Sequence, residues 1–148
     1  MNETTNSDSP AKTPPSNSLL DALPGPMLIF TYTRAQALAD GEQIEVTATA
    51  REAGIRLPVF LTRAVWENYV AVPPGVTGQD EAGRLWDVLW LARFAFSTAE
   101  ADTDRVTVNL HVRNDNRSAS PVELLAVCGP CDIYDPAPSI TIMLPHEN

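Results

Sequence analysis

Residues 79–97 read QDEAGRLWDVLWLARFAFS, and they hold two of the three tryptophans of the chain. Asp80 and Glu81 fall where a helix begins, at the positive end of its dipole. Behind them Leu85, Trp86, Val88, Leu89, Trp90, Leu91, Phe94 and Phe96 are spread over most of a helical circumference, which predicts a long helix buried on most sides. Such a helix needs a layer to lie on, and the last third of the chain supplies it. RVTVNLHV (105–112), VELLAVC (122–128) and SITIMLP (139–145) are β-rich runs separated by polar or proline-containing turns, an antiparallel meander in its simplest arrangement. Val106, Val108 and Leu110 share one face and are expected to meet the Trp86 and Trp90 side of the helix.

Upstream the pattern is shorter-ranged. Met27–Phe30 is a brief apolar run, after which Thr33 caps a helix over RAQALAD that stops at Gly41. Gln43–Val46 alternates as a strand, and Thr47 or Thr49 caps a second short helix ending at Gly54. IRLPVF follows as an extended segment, where Pro58 favours a sheet edge or a loop. Thr62 caps RAVWENYV, and AVPPGVTG breaks that helix into a loop. The expected architecture is therefore α+β: a long buried helix packed on a small antiparallel sheet, short N-terminal helices before it, and one domain over residues 27–148. Residues 1–26, rich in Asn, Ser, Thr and Pro, lack the apolar side chains that would repay their ordering, and are expected to be a disordered, solvated tail, the alternative being that Leu19, Leu20 and Leu23 dock on a partner as a short apolar hook.

Charge narrows the function classes. The chain carries −9 in total. Glu3, Asp8 and Asp21 against Lys12 leave −2 of this in the tail, so most of the negative charge belongs to the domain. That field repels a phosphate backbone, so direct nucleic-acid binding is disfavoured. The start has no basic segment followed by an apolar one, and no run reaches the roughly 18–20 apolar residues of a membrane span, so a cytoplasmic protein is expected.

Each chemical motif has a plain competing explanation. Cys128-Gly129-Pro130-Cys131 matches the thioredoxin tetrapeptide, whose first thiol is activated by a helix N-terminus. Here the continuation, DIYDPAPSITIML, leaves no room for that helix, so a Gly-Pro turn at a strand end with two free thiols is expected. Adding His111 and His146 would complete a Cys2His2 set, but pairing the strands about Arg117 sets His111 opposite Glu123, some 16 Å from Cys128 and beyond a zinc ligand's reach. His146 lacks a nucleophile elbow, and PPGVTGQD lacks the lysine of a phosphate loop. No catalytic, cofactor-binding or metal-binding residue is assigned. The residues that suit an interface are Asp80, Glu81, Arg84 and Asp87, with Arg84 and Asp87 spaced for a local ion pair at i, i+3 and further carboxylates, Glu100, Asp102 and Asp104, beyond the helix.

YTRAQALADG (32–41), VTATAREAGIRLPVFLTRAVW (46–66), DEAGRLWDVLW (80–90) and ITIMLPHE (140–147) resemble a family of small uncharacterised bacterial proteins carried by plasmids, integrative elements and phages. The resemblance implies a mobile-element context and no activity, cofactor or catalytic residue. On these grounds the expected function is non-enzymatic: an accessory protein that binds a host- or element-encoded protein, antagonising a nucleic-acid-directed defence, with a homodimer open. The alternatives are a thiol-dependent or hydrolytic enzyme using Cys128 with Cys131 or His146, and a structural or regulatory subunit of plasmid transfer or maintenance machinery.

Overall fold

The computed structural model describes residues 32–147. The expected tail, the run Met27–Phe30 and the domain boundary between them lie outside those residues. Within them the order is α1 (Arg34–Ala39), β1 (Gln43–Glu45), α2 (Thr47–Glu52), β2 (Val59–Thr62), α3 (Arg63–Val65) running into a π-turn (Trp66–Val70), α4 (Glu81–Thr98), β3 (Arg105–Val112), β4 (Ser120–Asp132), β5 (Asp135–Met143) and a closing 3-10 turn (Pro145–Glu147). It is a mixed α and β fold around a five-stranded sheet of order β1-β2-β5-β4-β3.

The early helices follow local chemistry. Thr33 caps α1 in a reciprocal box with Gln36, and Gly41, at φ 76°, ends it. Thr62 caps α3 by accepting from the Val65 N–H. The expected cap of α2 is different: Val46 precedes the helix without a side-chain bond, and the Thr47 hydroxyl instead donates to Glu45 and accepts from the Val59 N–H, tying β1 to β2.

The sheet corrects two expectations. IRLPVF divides: residues 55–58 form a loop, as one expectation had it, but Val59 and Phe60 open β2, which is no edge, because it lies between β1, antiparallel, and β5, parallel, with Val59, Phe60 and Leu61 buried. Pro58 is tolerated because it precedes the strand and only accepts, from the Ile140 N–H at 2.9 Å. The sheet is therefore mixed, the meander β3-β4-β5 being extended by a strand from the other half of the chain. The second correction is register: Asn109, not His111, faces Glu123, and His111 faces Pro121.

Strands β4 and β5 also run past the rest of the sheet as a hairpin arm. The Cys128 N–H donates to the Asp104 carbonyl, so even-numbered residues of β4 face β3, and the alternation points Gly129 toward Ser139 of β5. Pro130 then turns its missing N–H toward a side where β3 has ended, since Arg105 already pairs with Val127. On the other flank Ile140 faces β2, so Pro138 faces the open edge beyond it, and Pro136 lies in the bulge where β5 spends an extra residue. Proline thus sits where a ladder bond is not needed. The Gly-Pro turn expected at Cys128–Cys131 is strand; the turn itself is Ile133-Tyr134.

The core joins both layers: Val59, Leu61, Val65, Val70, Leu85, Val88, Leu89, Ala92, Val108, Leu124, Ala126 and Ile142 belong to one buried cluster. Helix α4 contributes one face to it and is not buried on most sides. Arg84, Leu85, Val88, Leu89 and Ala92 are buried, whereas Trp86, Trp90 and Phe94 are 39%, 46% and 58% exposed. Val106, Val108 and Leu110 accordingly lie under the aliphatic side of the helix and not under its tryptophans.

Candidate functional site

The exposed aromatics stand at i, i+4 and i+8, one above another along the outer face of α4. Arg93 lies over the Trp90 ring at 5.4 Å from its centroid. At the helix start, Asp80 is the N-cap and accepts from the Gly83 N–H at 2.8 Å, with Glu81 in the first turn. Asp80, Arg84 and Asp87 line, with Trp86, Gly78, Gln79 and Gly83, an open groove of about 580 Å³. Glu81 does not line it, although it is exposed beside it.

Arg84 and Asp87 do not pair. The Arg84 guanidinium points inward, donating to the Tyr69 carbonyl at 3.0 Å, to Asn114 Oδ1 at 2.6 Å and to the Arg113 carbonyl at 3.4 Å. The reason lies in the π-turn, whose end leaves carbonyls without an intrahelical donor. Arg84 takes that of Tyr69, and the Asn114 amide takes that of Asn68. Burial, with Arg113 nearby, pushes the Arg84 pKa down from its usual high value. Around it Gln79 reaches the Arg113 carbonyl, Arg113 reaches the Thr77 carbonyl, and Asn116 bonds Thr77 and Gly75, so the loop before α4 is laced to the loop after β3. Arg84 therefore holds the start of α4 in place, and the acidic side chains exposed at this end of the helix are Asp80, Glu81 and Asp87.

A second concavity, about 560 Å³, lies between α1 and the hairpin arm and is lined by Leu38, Pro58, Phe60, Cys131, Asp132 and Tyr134 among others. Arg34 organises it. Its guanidinium stacks on Phe60 at 4.0 Å and donates to the Cys131 carbonyl, to Gln43 at 2.6 Å and to Thr141 at 2.9 Å. Asp132 accepts the backbone N–H groups of Arg34, Ala35 and Ile133, and these bonds hold its carboxyl below the ordinary 3.8. The Ile133-Tyr134 tip is thereby fixed, with Tyr134 93% exposed.

The two cysteines are free and half-buried in β4. Cys131 lies beside the first turn of α1, where its carbonyl accepts from Arg34 and the adjacent Asp132 takes the backbone N–H groups of Arg34 and Ala35. His111 sits on β3 opposite Pro121, two positions further from Cys128 than the expected pairing, and among the described residues no group of three or more His, Cys, Asp or Glu side chains is arranged to hold a metal ion. No helix among them is long and apolar enough to cross a membrane. What the sequence does not single out is the stripe Trp86, Trp90 and Phe94 as surface. Its only sequence signal is the i, i+4, i+8 spacing, shared with any buried stripe.

The most distinctive surface of this mixed fold is an exposed aromatic helix face with carboxylates at the helix start. The chain belongs to a family of unknown function (DUF6573), which matches residues 21–148. No curated protein and no solved structure matches it.

Proposed function

We propose that this protein acts by binding another protein through the outer face of α4, as a non-enzymatic accessory factor of a mobile element. The observation that carries the reading is the line of Trp86, Trp90 and Phe94 on solvent. At their exposures the three rings leave on the order of 300 Å² of aromatic surface uncovered. The largest apolar patch of a monomer has about this size or more and is often functional, and Trp is among the commonest energetic anchors of interfaces. The stripe is held on a capped helix whose start is locked by Arg84, so binding costs little ordering.

Electrostatics support a basic partner. Glu81 and Asp87 stand at one end of the stripe, Glu100, Asp102 and Asp104 follow the helix at the other, and the chain as a whole carries −9. A host- or element-encoded protein with an apolar segment flanked by Lys or Arg complements this surface, and nucleic-acid-binding defence proteins are of that chemistry. Occupying their basic surface would antagonise them.

Immobilised full-length protein, challenged with lysate of a bacterium carrying the element, should retain a basic protein that is released as salt rises. Trp86→Ala, Trp90→Ala and Phe94→Ala combined should abolish that retention, and Glu81→Lys with Asp87→Lys should weaken it about tenfold or more at low salt. Retention of the same protein by the triple aromatic variant would overturn the reading.

A further inference from the structure

The edges of the sheet are treated unequally. The hairpin arm carries Pro130, Pro136 and Pro138 along its free flanks, and β1, at one border, is three residues long. The other border is β3, with eight residues in unbroken register with β4, no proline, no lysine and no bulge. Long regular edges of this kind are templates for a further strand. The Asp104 carbonyl accepts from Cys128, so Val106, Val108, Leu110 and Val112 direct their backbone groups toward β4. Arg105, Thr107, Asn109 and His111 direct theirs to the other side, where no strand pairs with β3 among the described residues.

We propose that two copies of this chain associate through their β3 edges, antiparallel about a twofold axis, forming one continuous sheet. A self-paired strand is isologous, each residue meeting its symmetry counterpart. The register centred on Val108 sets Arg105 against His111 of the second copy and Thr107 against its Asn109. All the outward-facing residues of both strands then exchange backbone hydrogen bonds. On the polar face each guanidinium meets an imidazole and not a second guanidinium, and threonine meets asparagine, a pair able to hydrogen-bond. Shifting the register by two leaves one outward residue of each strand without its counterpart. The association goes beyond the binding proposed for α4 and uses a different surface.

The test is the mass of the full chain in solution, by sedimentation velocity from low micromolar to submillimolar concentration. Twice the 16.1 kDa of one chain is expected at the upper end. Asn109→Pro removes an N–H that the β3–β4 ladder does not use, so it should keep the circular dichroism of the parent and raise the dimer dissociation constant about tenfold or more. His111→Lys places a second cation against Arg105 of the other copy and should weaken the dimer; His111→Glu should tighten it. This opposed pair decides the matter even if Asn109→Pro misfolds. A parent that stays monomeric throughout, a folded Asn109→Pro that dimerises as well as the parent, or a dimer lost with the α4 aromatics but indifferent at His111 would each overturn the proposal.

Discussion

Replacing Arg84 with methionine tests whether this residue is an internal brace or half of a surface ion pair. The substitution keeps most of the apolar stem and removes the guanidinium. Two well-formed bonds, at 3.0 Å to the Tyr69 carbonyl and 2.6 Å to Asn114, and one long bond to the Arg113 carbonyl are lost. Hydrogen bonds from a charged donor contribute about 1.5–3 kcal/mol each, and the acceptors left behind are partly buried. Against this, a cation without a carboxylate partner no longer has to be desolvated. The net loss is about 2–3 kcal/mol, or about 10 °C in Tm for a domain of this size. Thermal and urea unfolding followed by tryptophan fluorescence would measure it. Arg84→Lys, which keeps the charge but not the planar fork, should lose more than half as much. Asp87→Asn should stay within about 0.5 kcal/mol of the parent, as exposed positions do. An Arg84→Met protein as stable as the parent, or an Asp87→Asn protein as damaged as Arg84→Met, would refute the brace.

Two further outcomes follow from burial and charge. Leu89, fully buried, should cost about 3–4 kcal/mol when truncated to alanine, whereas Trp90→Ala, one position along but half-exposed, should cost about 1 kcal/mol in urea unfolding while removing partner capture. Asp132 titrates below 3.8 when folded, so its stabilising effect is present above that pH and is lost as pH falls through the depressed value. Asp132→Asn should lower stability near neutral pH and make the acid limb of the stability profile shallower, and an acid limb identical to the parent's would contradict the role given to the Arg34–Asp132 contacts.

Much of the local structure was legible because its causes are local. Thr33, Thr62 and Asp80 cap the helices they precede, Gly41 and Gly54 close two of them with positive φ, and β3 alternates buried and exposed residue by residue. The site was legible only in part. Asp80 and Glu81 were expected at the helix start and are there. Arg84 was expected beside Asp87, but acceptors from the distant segments around Tyr69 and Asn114 outcompete it.

By itself the sequence determined the positions of most helices and strands, the acidic field and the antiparallel meander, since caps, period-two alternation and net charge depend on neighbours along the chain. Only the tertiary structure decided that β2 enters the sheet parallel to β5, that the prolines of the hairpin arm face open edges, and that Trp86, Trp90 and Phe94 look outward. Hydrophobicity drives a side chain from water without specifying which surface receives it. Once Leu85, Val88, Leu89 and Ala92 fill the space over the sheet, the described residues provide the 18-residue helix with no second layer over its other face.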